Sequence, residues 1–241
     1  MTEIFDKAPV AVVTGASRGL GAALAAGLAR TGWRLVVDAR TAADLAATAA
    51  GLEPLTAVAV LAGDVVDDAH RVALAAAADR FGGADLLVNN ASTLGGSPPP
   101  PLSDFPLPAL LETFEVNVLA PIALTQLLLP QLRRAPAGAV LNVSSDAAVE
   151  AYPGWGGYGA AKAALDHASA VFAKEDPALR FWSVDPGDLR TRLQQEAFPG
   201  EDISDRPLPE TVVPRLLALL HRRPPSGRYV AADLAAETAS R

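Results

Sequence analysis

Val10–Gly21, VAVVTGASRGLG, runs four apolar residues into a glycine-rich turn and then into a helical pattern. Gly15 permits a tight turn, and Gly19 and Gly21 let backbone and ligand approach closely. The helix that opens beyond them presents free N–H groups and the positive end of its dipole, a setting that suits a pyrophosphate. Gly15, Ser17, Arg18, Gly19, Leu20 and Gly21 are therefore expected to surround one. The spacing is G-x-x-x-G-x-G, so the commoner G-x-G-x-x-G pattern does not apply literally. Two other readings compete for the same residues. One is a plain strand–helix connection. The other is the nucleophile elbow of a serine hydrolase, because Gly15–Gly19 satisfies G-x-S-x-G. That chemistry needs a histidine, and His70, His167 and His221 all fall inside helical patterns. An elbow on the first strand also leaves no upstream loop to supply a second oxyanion donor.

Outward from this loop, Val- and Leu-rich runs alternate with Ala- and Leu-rich segments of helical period. Strands are expected at Val10–Thr14, Arg34–Val37, Leu55–Leu61, Leu86–Asn89, Ala139–Val143, Phe181–Val184 and Arg228–Val230. Helices are expected near Gly19–Thr31, Ala42–Gly51, Asp67–Phe81, Leu107–Arg134, Gly159–Lys174 and Glu210–His221. Near-continuous apolar strands imply a sheet covered on both faces. The alternation implies an α/β chain, a single-domain Rossmann-type doubly wound parallel sheet of about seven strands with helices on both faces. Residues 1–241 read as one domain, with no linker and no internal repeat. Ser92–Pro101 and Phe198–Pro209 should lie at the carboxyl ends of strands, where open sheets bind ligands, and 190–209 is expected to form a lid.

Half of the residues are apolar and only 5% aromatic, so the core must be built from Ala, Val and Leu. A net charge of −7 argues against nucleic acid or an anionic membrane as the main partner. Without cysteine there is neither disulfide nor thiolate chemistry. No metal site is expected. MTEIFDKAPV carries acidic residues where a signal peptide has a basic start, and no apolar run reaches the length of a bilayer span. An intracellular, cytoplasmic location is expected.

Four polar groups fall where such a fold gathers them. Ser144 and Ser145 end the fifth strand, Tyr158 and Lys162 form Y-x-x-x-K at the start of the next helix, and Asn117 lies in the long helix before that strand. An i, i+4 pair shares one helix face. A free phenol titrates near 10, too high for efficient proton transfer at neutral pH. A positive charge at about 4 Å favours the phenolate by about 4 kcal/mol at an effective dielectric near 20. Lys162 is therefore expected to pull the Tyr158 pKa down toward neutrality. Lysine occurs only at Lys7, Lys162 and Lys174, so Lys162 is poorly explained as solvated background.

Taken in order, these segments resemble the short-chain dehydrogenase/reductase family over essentially the whole chain. Thr14–Gly21, TGASRGLG, resembles its T-G-x-x-x-G-x-G loop, and Leu87–Ser92, LVNNAS, its N-N-A-G segment. Asn117 in VNVLAP, Ser145 in NVSS, Tyr158 and Lys162 match its Asn–Ser–Tyr–Lys tetrad, and Asp185–Thr191 resembles its P-G-x-x-x-T segment. The resemblance implies hydride transfer between a nicotinamide and a carbonyl or alcohol. Tyr158 would be the acid and base, and Lys162 would lower its pKa and hold the nicotinamide ribose. Ser145 would hydrogen-bond the carbonyl. Asn117 would hold a helix irregularity and a water. Asp64 and Val65 would reach the adenine, and Asn90 and Ala91 the adenosine ribose side. Leu189 and Thr191, after the turn at Pro186 and Gly187, would fix the carboxamide. Three positions depart from the pattern. Ser92 replaces a glycine, a change expected to carry no chemistry; Asp185 before Pro186 has no explanation in the sequence; Asp188 puts a carboxylate near the substrate entrance.

Coenzyme choice turns on the end of the second strand. Asp38 has the spacing of a ribose-binding acid, which favours NAD. By resemblance the NAD-specific acid would instead fall at Ala39, leaving Arg40 in the slot for a 2′-phosphate, with Arg18 as a second cation. NADP(H) is the expected coenzyme. Leu86–Glu196 is similar to the sepiapterin reductase branch, but Ala231 stands where that branch has its acidic pterin anchor, with Asp233 two positions on. A moderately apolar ketone or diketone is the expected substrate. A true pterin reductase and a catalytically idle dinucleotide-binding redox sensor are the alternatives. The resemblance also implies a homodimer or homotetramer.

Overall fold

The computed structural model describes residues 8–236. The acidic start, residues 1–7, on which the reading of the N-terminus rests, lies outside the described residues. Strands β1 (Val10–Val13), β2 (Arg34–Ala39), β3 (Val58–Ala62), β4 (Leu86–Asn89), β5 (Ala139–Val143), β6 (Arg180–Asp185) and β7 (Gly227–Val230) form one sheet in the order β3-β2-β1-β4-β5-β6-β7. Every pairing is parallel. Helices α1 (Gly19–Arg30), α2 (Ala42–Leu52), α3 (Asp68–Arg80), α4 (Leu107–Phe114), α5 (Ala120–Leu132), α6 (Gly156–Glu175), α7 (Arg192–Ala197) and α8 (Val213–Arg222) connect them.

The alternation of side chains along β1 explains why its sequence is apolar throughout. Ala11 and Val13 join the core beneath α1, α2 and α8, with Leu24, Leu28, Leu45 and Leu216. Val10 and Val12 join the opposite core, with Leu74 of α3 and Leu124, Leu128 and Leu132 of α5. Both faces are covered, so no position on the strand is free to be polar. Burial of each such leucine contributes about 2 kcal/mol. Among the described residues Trp182 on β6 is the largest fully buried side chain, next to Phe181 in an interior that is mostly aliphatic.

Most boundaries shift by a few residues, and three departures are larger. β3 begins at Val58, not Leu55, because it is the sheet edge and Leu55 remains about half exposed. The long helix is not uniform: between α4 and α5 it widens over Glu115–Leu119 into i to i+5 bonding. α7 is a short helix inside the segment expected to be an irregular lid. Leu107–Leu132 is long and apolar enough to cross a bilayer by length and composition, but its Leu124, Leu128 and Leu132 are buried against the sheet.

Strand order reverses between β1 and β4, and the crevice beyond their carboxyl ends is the ligand position of open α/β sheets.

Candidate active site

A cavity of about 530 Å³ opens along the carboxyl ends of the strands, from Arg40 at one end to Phe198 at the other. Of the predicted site residues, Gly15, Ser17, Arg18, Gly19, Leu20, Arg40, Asp64, Val65, Asn90, Ala91, Ser145, Tyr158, Lys162, Pro186, Gly187, Leu189 and Thr191 line it. Gly21 and Asn117 do not, and each has a clear reason. A Cβ on Gly21 would run into the Gly15 carbonyl and the Asn90 amide, so this glycine packs the loop against β4. Asn117 is wholly buried in the widened turn. Its Oδ1 accepts from Thr93 N at 3.0 Å and its Nδ2 donates to Thr93 O at 2.8 Å, which fastens the helix to the segment after β4.

The loop end is held by backbone geometry. Gly15 has φ +64°, and a Cβ there would meet Ala91 Cα at 2.9 Å, so both conformation and space demand glycine. Asn90 donates to Thr14 O and Gly15 O at 2.9 and 3.1 Å, locking the turn to β4. α1 starts without a side-chain cap and without an acid in its first turn, whereas Asp67 caps α3 and Thr191 caps α7. Its free N–H groups face the cavity and fit a phosphate. Arg18 and Arg40 line the same end, Arg18 lying 3.7 Å from Asp44.

Asp38 has another task than the ribose contact its spacing suggested. It is buried, accepts from Gly15 N at 2.8 Å and sits 3.0 Å from His70 Nε2. Burial pushes its carboxyl up, and the His70 and Gly15 bonds oppose that. The acid thus braces the loop from behind. None of His70, His167 and His221 lines the cavity beside Ser17, so no hydrolase triad assembles there.

At the other end Tyr158 and Lys162 share one face of α6, as their spacing requires. Lys162 Nζ lies 5.5 Å from the centroid of the Tyr158 ring and donates to Val143 O at 2.7 Å. Lys162 is not the dominant influence on the phenol. Burial dominates and pushes the Tyr158 phenol well above its ordinary value, with Asp185 and Asp146 adding to the rise. Hydrogen bonds from Ser92 and Ser145 act the other way. Burial also pushes the Lys162 ammonium down to about 8, partly offset by Asp166. Each charged form is thus penalised by the apolar wall that aligns the pair.

Ser145 Oγ donates to Asp146 Oδ1 at 2.9 Å and accepts from Ala147 N at 3.2 Å. Tyr152 OH also donates to Asp146, at 3.1 Å. Trp155 stands edge-on to Tyr158 at 5.6 Å and tilts against Phe198 at 6.0 Å, making with Leu94 and Leu193 an apolar wall beside the phenol.

Two features were missed in the sequence. Asp185 belongs to an ion network: its Oδ1 accepts from Gly187 N at 2.9 Å, and its Oδ2 faces Arg228 Nη2 at 3.4 Å. Arg228 also donates to Ser145 O at 2.9 Å and to Asp166 Oδ2 at 3.2 Å, while Ser144 Oγ donates to that same Asp166 oxygen at 2.8 Å. One guanidinium therefore ties the ends of β5 and β6 to α6 and β7. The second feature is Ser92, whose hydroxyl donates to Asn117 Oδ1 at 3.0 Å and so joins the bonds that hold the widened turn to the segment after β4. No local pattern signals either one, since the partners lie far apart in the chain.

Comparison with known proteins agrees with this geometry. The short chain dehydrogenase family model matches residues 9–202. An uncharacterized oxidoreductase of Mycobacterium tuberculosis is 36% identical over 198 residues, covering 79% of this chain and 72% of that protein. Sepiapterin reductase of Mus musculus is 35% identical over 201 residues, covering 78% of this chain and 77% of that protein. The solved structure of an alcohol dehydrogenase from the archaeon Thermococcus sibiricus, complexed with 5-hydroxy-NADP, superposes with a TM-score of 0.83 at 28% identity, covering 96% of this chain and 100% of that one. With its loop, its sheet order and these relatives, the chain belongs to the short-chain dehydrogenase/reductase family and is an NAD(P)-dependent oxidoreductase.

Proposed function

We propose that the chain is an NADP(H)-dependent carbonyl reductase that moves a hydride between the nicotinamide and a ketone or diketone, with Tyr158 as the acid and base. The observation that carries this reading is one continuous cavity with an uncapped helix N-terminus and two arginines at one end and Tyr158, Ser145 and Lys162 at the other. A bound nicotinamide coenzyme supplies or takes the hydride. The phenol, raised by burial, keeps its proton at neutral pH, which is the form reduction needs. Tyr158 gives that proton to the carbonyl oxygen as charge gathers there. Ser145 turns its hydroxyl from Asp146 to the same oxygen and stabilises it. Lys162, held by the Val143 carbonyl, adds positive field and would hold the ribose of a bound nicotinamide.

The preference for NADP(H) rests on occupancy of the acid. Asp38 is committed to Gly15 and His70, and Arg40 and Arg18 line the same end of the cavity, where their guanidiniums can take a 2′-phosphate, Arg18 leaving the Asp44 carboxylate 3.7 Å away to do so. The substrate side, walled by Trp155, Leu193 and Phe198 under the 190–209 lid, suits a moderately apolar carbonyl compound. A pterin reductase reading gains nothing here: Ala231 is buried and Asp233 does not line the cavity. A redox sensor has no use for Tyr158 and Ser145 side by side. Leu107, Leu111 and Leu119 are exposed along the α4–α5 helix and support a homo-oligomer.

Oxidation of NADPH and NADH by the purified chain against a panel of ketones and diketones tests the reading. Turnover with higher kcat/KM for NADPH is expected. No turnover with any carbonyl, alongside tight NADPH binding, would favour the sensor.

A further inference from the structure

We propose that Arg228 on β7 is a positioning residue for the reaction. Its guanidinium, which does not line the cavity, sets the separation of Ser145 and Tyr158 by tying the Ser145 carbonyl to the helix that carries the phenol. The inference deepens the reductase reading and rests on it.

The two hydroxyls must meet at one carbonyl oxygen, yet they stand on different elements. Tyr158 is on α6, whereas Ser145 lies just past the end of β5. The β5–β6 pairing runs to Val143 opposite Val184, and one step further Ser144 N donates to Val184 O at 2.8 Å. Ser145 is beyond that ladder. Its carbonyl accepts from Ala148 N of its own turn at 3.1 Å and from Arg228 Nη2 at 2.9 Å. The guanidinium is the donor of the two that comes from outside the turn. Arg228 Nε in turn donates to Asp166 Oδ2 at 3.2 Å. Tyr158, Lys162 and Asp166 recur at i, i+4 and i+8 along α6, so they share one face of that helix.

Two further bonds join the end of β5 to this helix face, Lys162 Nζ to Val143 O at 2.7 Å and Ser144 Oγ to Asp166 Oδ2 at 2.8 Å. Both stop short of Ser145, and Arg228 carries the tie to it. From the other side α6 presses on the turn beyond Ser145, where a Cβ on Gly159 would collide with the Ala147 carbonyl. Contact sets the nearest approach of turn and helix, and the guanidinium keeps the turn from drifting away. A planar fork suits this task, because Nε and Nη2 serve Asp166 and the Ser145 carbonyl together, whereas a lysine offers a single centre. The contact with Asp185 Oδ2, at 3.4 Å, is the longest made by the fork and adds least.

The test is NADPH-dependent reduction of an aromatic vicinal diketone, phenanthrenequinone, by the full chain, by Arg228→Ala and Arg228→Lys, and by each of these combined with Ser145→Ala. Arg228→Ala is expected to lower kcat about tenfold and Arg228→Lys about threefold, with KM for NADPH within about twofold. On the Ser145→Ala background either change should cost less than about twofold, because a hydroxyl that is absent cannot be misplaced. A purely structural role would cost the same factor on both backgrounds. Single turnovers at excess enzyme keep the slow Ser145→Ala variants readable. Arg228→Lys keeps a cation beside Asp166 and Asp185, so it decides the matter if thermal melts show that Arg228→Ala has lost its fold. Full kcat in either folded Arg228 variant would overturn the proposal alone. So would an equal loss with and without the Ser145 hydroxyl. Absence of turnover by the unsubstituted chain would instead overturn the reductase reading, and this inference with it.

Discussion

The two ends of the cavity are built on different principles. The phosphate end is made of backbone: a glycine with positive φ, an uncapped helix start, and an asparagine that pins the turn to the neighbouring strand. The catalytic end is made of buried side chains whose protonation depends on everything packed around them. Motifs written in consecutive residues can specify the first. The second emerges only when Ser92, the adjacent Ser145 and Asp146, and Asp185 act on one phenol from three separate segments. Backbone geometry is local, while the cost of burying a charge is not.

Lys162→Met separates the two ends most sharply. Turnover should fall by about a hundredfold or more while the phosphate end keeps binding. Burial holds Lys162 at about 8 against an ordinary 10.5, so the unfolded chain binds more protons between those pH values. The penalty on the fold is therefore full below pH 8 and fades as pH rises toward 10.5. At neutral pH it amounts to about 3 kcal/mol at most, so Lys162→Met should melt no lower, and at best several degrees higher, than the unsubstituted chain. By the same titration, turnover of the unsubstituted chain should decline as pH climbs through about 8. A lower melting temperature for Lys162→Met, together with a flat pH profile, would break this account of the catalytic end.

Arg40→Ala probes the opposite end. KM for NADPH should rise about tenfold and KM for NADH hardly at all, with kcat kept, because a lost guanidinium–phosphate bond is a binding loss. Equal effects on both coenzymes would show that Arg40 reads no 2′-phosphate. Asp185→Asn should have the smallest effect. Its charge pushes the phenol up, so the amide should make Tyr158 slightly more acidic and raise kcat by about twofold at most. A large loss would mean that the Arg228 network governs Ser145 more strongly than Tyr158.

Much of this molecule is legible in the chain itself. The period of apolar residues gives seven strands and most helices, since a sheet covered on both faces leaves no room for polar positions. Gly15, Tyr158 and Lys162 are readable because a turn and an i, i+4 pair are short-range constraints. Legibility fails where partners are distant. Arg228 lies 83 residues from the Ser145 carbonyl it holds, and Asp38 is 32 residues from His70, the contact that engages its second carboxylate oxygen. The setting of Tyr158 is hidden for the same reason: spacing places a lysine beside the phenol, but only packing reveals how thoroughly both are desolvated.

The central claim is that the Tyr158 phenol, kept protonated by its burial, is the proton donor of an NADPH-dependent reduction. Tyr158→Phe, assayed for NADPH binding by fluorescence titration and for turnover in the same sample, tests it most directly. Binding within about threefold of the unsubstituted chain and a loss of turnover of at least about a hundredfold are predicted. A phenylalanine variant that still reduces the diketone at the original rate would contradict it.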